Sequence, residues 1–333
     1  MTRVRVLTAP DSFTGTLTAV EAADAIAAGW RRHAPDADLD LAPMSDGGPG
    51  FLDAVGGALG GTRHRFPAVG PLGAPLTAEV LQTPDRTVYV EAALACGLDL
   101  VPAAGRRPLD ATSAGVGDLL VAALDALGPS RVVVGVGGTA STDGGRGCVE
   151  SVGGLGAWPS DVPLVAATDV DAPLLGPSGA AVVFGPQKGA GRQDVRRLTS
   201  RLHGLARAMK RDPRGVPMTG AAGGLAGGLW AELEAELVPG AAFVLDAVAF
   251  DSRMKTARAV VTGEGRLDLQ SLAGKAVSEV ATRARQSGVP CHAIVGAREL
   301  DTFGARILDL QAILEAGTRR RLETAGARLA ELL

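Results

Sequence analysis

The chain is poor in aromatic residues, cysteine and histidine. Phe, Trp and Tyr make up 3% of its 333 residues, and there are three cysteines and four histidines. Cys96, Cys148 and Cys291 are far apart among small apolar neighbours, so we expect reduced core thiols and neither a disulfide framework nor a cysteine metal site. The histidines lack the spacing of metal ligands, and none is a favoured catalyst. With 46 glycines, the chain is expected to have many tight turns and a core of Ala, Val and Leu.

Long apolar runs and a basic surface are also missing. No apolar stretch reaches the length of a membrane span, and the first seven residues lack the layout of a secretory signal. The formal net charge is -3, with Lys and Arg scattered along the chain. We therefore expect a cytoplasmic protein that binds neither nucleic acid nor membrane.

Strand-like and helix-like segments alternate along most of the chain, which favours an α/β fold with parallel sheets. Thr18 and Glu21 form a capping-box pattern at the start of the first helix. A helix is also predicted from Trp230 to Leu237. A length of 333 residues favours two domains, and the texture changes near Gly70, where short strands and turns begin.

Four loops share one design, in which an apolar strand ends in Gly, Asp and hydroxyl residues and a helix follows. They span residues 9–16, 44–48, 135–145 and 262–268. The carboxyl ends of parallel strands line ligand crevices, so all four loops could meet at one cleft. There, glycine amides would receive phosphate oxygens and carboxylates would suit magnesium. Taken singly, each loop is also explained as a plain turn.

Three cations could hold phosphate, namely Lys188, Arg266 and Lys275, although each could equally be a solvated surface charge. No Walker A motif and no protein-kinase signature is present. A kinase function must therefore rest on other motifs.

Longer blocks of sequence resemble those of the bacterial glycerate kinases of the glycerate 2-kinase type, in order and in spacing. These blocks are APDSF at 9–13, PMSDGG at 43–48, ATSAGVG at 111–117, VGGTA at 136–140, TDVD at 168–171, FGPQKGA at 184–190, GAAGGL at 220–225 and TGEGRLD at 262–268. The resemblance covers nearly the whole chain and identifies it as a divergent member of that family.

The resemblance implies a Rossmann-like parallel-sheet domain formed by both chain ends, residues 1–70 and 240–333, with a second α/β domain inserted at 71–239. It further implies ATP-dependent phosphorylation of D-glycerate, with magnesium, in the cleft between the domains. The product would be phosphoglycerate, most commonly 2-phosphoglycerate, and the protein would be a monomer or homodimer.

Candidate site residues follow from the loops and the matching blocks. The predicted catalytic residues are Asp143, Asp268 and Lys188. The predicted metal ligands are Asp169 and Glu264. Predicted to bind substrate or phosphate are Asp11, Ser12, Asp46, Gly47, Gly48, Gly137, Gly138, Thr139, Gly144, Gly145, Gly223, Gly224, Arg266 and Lys275.

Three positions depart from the family pattern, which commonly has Lys at Thr14, Glu at Pro49 and Asn at Thr142. Loss of the lysine could remove a charge-assisted contact worth about 1.5 to 3 kcal/mol. A kinase for another small hydroxy acid and a noncatalytic ligand-binding homologue therefore remain alternatives. A dinucleotide-dependent oxidoreductase is a third, although the full Gly-x-Gly-x-x-Gly fingerprint is absent at the first strand.

Overall fold

The computed structural model describes residues 4–13, 15–154, 157–272 and 274–333. Its strands are β1 Arg5–Pro10, β2 Asp38–Leu41, β3 Thr62–Val69, β4 Pro75–Gln82, β5 Thr87–Glu91, β6 Arg131–Gly135, β7 Leu164–Ala167, β8 Glu236–Val238, β9 Ala259–Leu267, β10 Cys291–Arg298 and β11 Leu310–Glu315. Its α-helices are α1 Ala19–His33, α2 Phe51–Leu59, α3 Ala93–Cys96, α4 Ala114–Leu127, α5 Arg146–Val152, α6 Ala180–Phe184, α7 Arg192–Ala208, α8 Ala221–Glu232, α9 Gly240–Ala247, α10 Phe250–Met254, α11 Ala276–Gln286, α12 Thr302–Ile307 and α13 Arg319–Leu332. The predicted α/β class is confirmed.

The chain forms two compact units. The terminal unit comprises Met1–Asp46, Asp53–Leu59 and Ala241–Leu333, and the inserted unit comprises Gly47–Leu52 and Gly60–Gly240. The chain ends thus build one unit, as the family resemblance implies.

The terminal unit contains a parallel sheet with strand order β11-β10-β9-β1-β2 among the described residues. Counted along this unit alone, the order is 2-1-3-4-5, a doubly wound arrangement. β1 is buried over its last five residues, and the Thr18 capping box starts α1 as predicted. Glycines let α1 and α13 approach closely, because a Cβ on Gly29 or Gly326 would collide with the backbone of the facing helix.

The strand order reverses between β1 and β9. From β1 the chain passes to β2 on one side, while β9 leads to β10 and β11 on the other. Ligands of doubly wound sheets bind outside the carboxyl ends of the strands at such a switch point. Asp11 and Glu264 lie at this place, one just after β1 and the other near the end of β9.

The inserted unit contains a mixed sheet with strand order β3-β4-β5-β6-β7-β8 in the described part of the chain. β3, β4 and β5 pair antiparallel, and β5 to β8 pair parallel. The register aligns Glu91, Gly135, Ala167 and Val238 at one edge, so the loops that follow these strands start side by side. The core of this unit is rich in small aliphatic residues, as the composition predicts.

Two details differ from expectation. The boundary expected at residue 70 lies near residue 60, because β3 pairs with β4 along its full length and a hairpin stays within one sheet. The helix predicted from Trp230 to Leu237 is wrong, since α8 ends at Glu232 and β8 pairs with β7. Pairing with a neighbouring strand outweighed the local helix propensity.

The expectations from absent residue types can be compared with the described chain. Cys96, Cys148 and Cys291 are buried free thiols, as predicted. No helix in the described ranges is long and apolar enough to cross a membrane.

Candidate active site

An acid cluster, formed by Asp11, Asp46 and Glu264, lies at the switch point of the terminal unit. The Asp11 amide donates to the Gly263 carbonyl at 2.8 Å, which ties the loop after β1 to β9. After β2 the chain continues beside β1, with the Met44 amide donating to the Pro10 carbonyl at 2.9 Å. Two of the predicted loops therefore meet here, together with the first part of a third.

Burial raises the pKa of both outer acids of this cluster. The pKa of Asp11 is well above its usual range, first because the carboxyl is desolvated and then because Asp46 and Glu264 are negatively charged. Desolvation likewise raises the pKa of Glu264 to about 7, while Lys275 acts in the opposite direction. The cluster therefore holds protons at neutral pH and favours a cation as its ligand.

Glu264 has the property expected of a metal ligand, since it is 9% exposed and its Oε1 is buried with no hydrogen-bond partner among the described residues. The described residues contain no group of three or more His, Cys, Asp or Glu side chains that could hold a metal. Magnesium is commonly bound by one or two carboxylates together with substrate phosphates and water. The donor set therefore fits magnesium in that manner. Asp169 belongs to the inserted unit, just after β7, and its role as a ligand stays a prediction.

The other predicted residues of the terminal unit differ in what they contact. Ser12 donates its amide to Asp11 Oδ1 at 2.6 Å. Asp268 Oδ1 accepts the amides of Gln270 and Ser271, which makes it the cap of a short 3-10 turn. Arg266 is exposed and pairs with Glu299 at 2.6 Å. Lys275 is half-buried and is the cation whose charge acts on the acid cluster.

A lysine cluster, formed by Thr139, Ser141, Asp143 and Lys188, lies in the inserted unit. Lys188 is 3% exposed, and its Nζ donates to the Ser141 carbonyl and, at 3.3 Å, to Thr139 Oγ1. Burial lowers the pKa of Lys188 to about 8, with Cys96 and Asp143 acting in the opposite direction. A buried ammonium held by two oxygens of a glycine-rich loop is suited to receive an anion.

Asp143 organises the loop that faces Lys188. Its Oδ2 accepts the Ser113 amide at 2.9 Å, the Ser113 hydroxyl at 2.8 Å and the Gly147 amide at 3.1 Å, and its Oδ1 accepts the Gly145 amide at 3.2 Å. Ser113 Oγ in turn accepts the Cys148 amide at 3.1 Å. The carboxylate thus joins the amino ends of α4 and α5 to one loop. This geometry makes Asp143 a positioning residue.

Four of the predicted ligand-wall glycines allow close packing of backbone on backbone. A Cβ on Gly223 would lie 2.0 Å from the Ser141 carbonyl oxygen and 2.9 Å from Lys188 Nζ. Gly144 and Gly224 have positive φ, and a Cβ on Gly224 would lie 2.8 Å from Gly144 Cα. A Cβ on Gly145 would lie 3.0 Å from Gly228 Cα. These contacts explain the need for glycine here, and direct phosphate binding by their amides stays a prediction.

The second and third predicted loops also touch within the inserted unit. The Gly137 amide donates to the Gly47 carbonyl at 2.9 Å, and a Cβ on Gly137 would lie 2.5 Å from Gly48 Cα. A Cβ on Gly138, where φ is +70°, would lie 2.8 Å from the Pro49 ring. Residues 47–50 and 137–138 therefore form one tightly packed corner, as their glycine content predicts.

Comparison with known proteins agrees with this arrangement of motifs. A model of the glycerate kinase family matches residues 6–156 and 154–333. The chain belongs to the glycerate kinase family. It is an enzyme of that family, a phosphotransferase with an alcohol group as acceptor. The oxidoreductase and the noncatalytic homologue, both considered from the sequence, are thereby replaced.

Individual relatives cover most of the chain. A glycerate kinase from Halalkalibacterium halodurans is 41% identical over 323 residues, with 87% of this chain and 85% of the relative covered. The glycerate 2-kinase of Escherichia coli is 36% identical over 325 residues, with 88% and 85% covered. A solved structure from Salmonella typhimurium LT2, described as a candidate glycerate kinase 2, matches with a TM-score of 0.82 at 32% identity and covers 99% of this chain and 98% of its own.

The departures from the usual glycerate kinase pattern have different surroundings. Thr14 lies outside the described residues. Pro49 packs on Gly138. Thr142 is 2% exposed, and its Oγ1, like Ser141 Oγ, is buried without a hydrogen-bond partner in the described ranges. Two unpaired hydroxyls beside Lys188 are the polar counterpart of the unpaired Glu264 oxygen.

Sequence reasoning missed several residues that this glycerate kinase family member uses to build its site. Arg106 donates to the Gln187 carbonyl at 2.9 Å, next to Lys188, and its Nε is buried without a partner among the described residues. Glu91 is 5% exposed and accepts the Gly50 and Leu52 amides at the start of α2. The ATSAGVG block at 111–117 could have pointed to Ser113, but nothing in the local sequence distinguishes Arg106 from its neighbour.

Proposed function

We propose that this protein transfers the γ-phosphoryl group of ATP to D-glycerate and releases 2-phosphoglycerate. Membership of the glycerate kinase family supports the reaction class. The observation that carries the proposal is Lys188, a buried lysine held on the 139–145 loop by one carbonyl and one hydroxyl. A kinase needs a positive charge of this kind where phosphate oxygens become more negative.

The lysine cluster supplies electrostatic stabilisation. The phosphoryl group passes from the leaving oxygen of ADP to the glycerate hydroxyl, and Lys188 donates its ammonium protons to the equatorial oxygens during transfer. Asp143 keeps the loop in place through its four hydrogen bonds. Ser141 and Thr142 offer hydroxyls that gain partners when an oxygen-rich ligand binds.

The acid cluster is assigned to magnesium. Bound magnesium neutralises phosphate charge and orients the triphosphate. Glu264 and Asp11, with Asp46 beside them, are the residues that would hold it, because their carboxyl groups are kept partly protonated until a cation binds. Lys275 limits the accumulated negative charge of these acids.

Two assignments in the terminal unit are open to direct test. Asp268 is proposed to accept the glycerate hydroxyl proton, in addition to capping its turn. Arg266 would hold the acid carboxylate only if its exposed pair with Glu299 opens. Replacement of Asp268 by Asn preserves the cap, so a loss of kcat without loss of stability would identify a base.

The function is tested by a coupled assay that measures ADP formation with ATP, magnesium and a panel of small hydroxy acids. We expect D-glycerate to give the highest kcat/KM, and phosphorus NMR to place the phosphate on the 2-hydroxyl. A higher kcat/KM with another acid would redirect the substrate assignment. The Thr14→Lys variant then tests whether the missing cation alters the choice of acid.

A further inference from the structure

A cavity of about 670 Å³ lies within the inserted unit, between α5, α7 and the segment that precedes α4. Its volume is in the range of small-molecule sites, about 300 to 1,000 Å³. The residues that matter for its chemistry are Asp143, Arg146, Arg201, Gly204 and Leu205. Neither the sequence motifs nor the proposed roles above account for it.

The charges of this cavity do not suit a polyphosphate. Asp110, Asp143 and Glu150 line it together with two arginines, so acids outnumber bases. Arg146 Nε donates to Glu150 at 2.6 Å, and Arg201 donates to a lining carbonyl at 2.7 Å. The guanidinium groups are therefore already engaged and act as flat, held surfaces. An uncharged ligand with hydroxyl or amine donors matches this wall better than an anion does.

The opposite wall is apolar. Leu198, Leu202 and Leu205 recur on one side of α7 at the spacing of helical turns, and all three line the cavity. Flat heteroaromatic rings pack well between aliphatic side chains and guanidinium planes. An aromatic base with a hydroxyl-bearing sugar combines both kinds of surface, which is the composition of a nucleoside.

The cavity is joined to the lysine cluster by one short loop. Thr142 and Asp143 line the cavity, and the preceding residue, Ser141, accepts the hydrogen bond from Lys188. We propose that this cavity binds the nucleoside of the phosphoryl donor while the phosphates extend along the loop toward Lys188. The inference rests on the proposed function, since it names where that reaction's nucleotide binds.

Gly204 provides a selective test. It lies inside α7, lines the cavity and has no atom within 4 Å of an added Cβ. The series Gly204→Ala, Gly204→Leu and Gly204→Trp therefore fills the cavity in steps without a backbone clash. We expect the KM for ATP to rise with side-chain size, at least about tenfold for Trp, while the KM for glycerate stays constant. Thermal unfolding confirms folding, and the Leu variant carries the test if the Trp variant does not fold.

Gly57→Trp is the matched control, because Gly57 is an exposed helical glycine in α2 with equally open space and lies outside this cavity. It should keep wild-type KM values. An unchanged KM for ATP across the folded Gly204 series, or a rise confined to the KM for glycerate, would overturn the nucleoside assignment and leave the proposed reaction standing. If the wild type forms no ADP with any acid, the reaction fails, and calorimetric titration with ADP decides the cavity separately: binding that weakens along the series supports it, and unaltered binding refutes it.

Discussion

The acid cluster of the terminal unit and the lysine cluster of the inserted unit have opposite charges but share one physical feature. Desolvation is the largest cause of the raised pKa values of Asp11 and Glu264 and of the lowered pKa of Lys188. Each cluster is thus shifted toward its neutral form, and each would regain charge beside a ligand of opposite sign. The comparison teaches that burial prepares one unit for a cation and the other for an anion.

The clusters differ in how firmly they are built. Lys188 and Asp143 are held by hydrogen bonds to a loop whose glycines pack against backbone. In the acid cluster, Glu264 keeps an unpaired buried oxygen among the described residues and interacts with its neighbours mainly through charge. We therefore expect substitutions in the lysine cluster to affect rate or structure, and those in the acid cluster to affect ionisation.

The largest expected effect is that of Lys188→Met. Loss of the ammonium should lower kcat by about 10² to 10³-fold, since it removes a preorganised donor to the transferring group. Stability should be maintained, because Met avoids the desolvation cost of a buried charge. Steady-state kinetics and thermal unfolding measure both effects. Lys210→Met, at an exposed lysine paired with Glu234, is the control, and wild-type kcat in the Lys188 variant would refute the assignment.

Glu264→Gln should change how stability depends on pH. A folded-state pKa of about 7, raised above the ordinary value of 4.5, means that wild-type stability falls as pH rises from 4.5 through 7. The variant lacks this loss, so in metal-free buffer at pH 8 it should be more stable by up to about 3 kcal/mol, with the gain shrinking toward pH 4.5. Chemical unfolding across pH measures this.

The control for that experiment is Glu299→Gln, because Glu299 is an exposed carboxylate paired with Arg266. It should show no pH-dependent gain. Parallel stability curves for wild type and Glu264→Gln would contradict the inference that burial controls the ionisation of this acid.

Asp143→Asn should destabilise the protein by about 1 to 3 kcal/mol. The amide nitrogen cannot accept hydrogen bonds, so at least one N–H or O–H donor now bound by the carboxylate loses its partner. Urea unfolding measures the loss. Asp125→Asn, on the exposed side of α4, should change stability by less than about 0.5 kcal/mol. Equal effects of the two variants would argue against a positioning role.

The pH dependence of turnover is the mildest test. Lys188 has a pKa of about 8, so it carries its charge below that pH and loses it above. We expect kcat/KM for ATP to fall about tenfold per pH unit beyond 8. The assay runs from pH 6 to 10 with stability checked at each point. A rate that stays level to pH 10 would show that the ammonium charge is not required.

Local patterns predicted much of the fold, but not where neighbouring segments compete. Alternating strands and the Thr18 capping box located β1 and α1 closely, because both signals lie within a few residues. The segment after α8 was misjudged, because β8 exists through its pairing with β7. The Asp-Gly loops were recognised as site candidates, whereas the four donors bound by Asp143 come from separate elements.

The sequence by itself determined the alternation of strands and helices, the capping of the first helix and the motif blocks that mark the family. These are properties of short stretches and their order. Only the tertiary structure decided that Lys188 is buried, that Arg106 lies beside it, and that Gly223 must lack a side chain to pass the Ser141 carbonyl. The physical reason is that desolvation and backbone contact depend on which distant residues surround an atom.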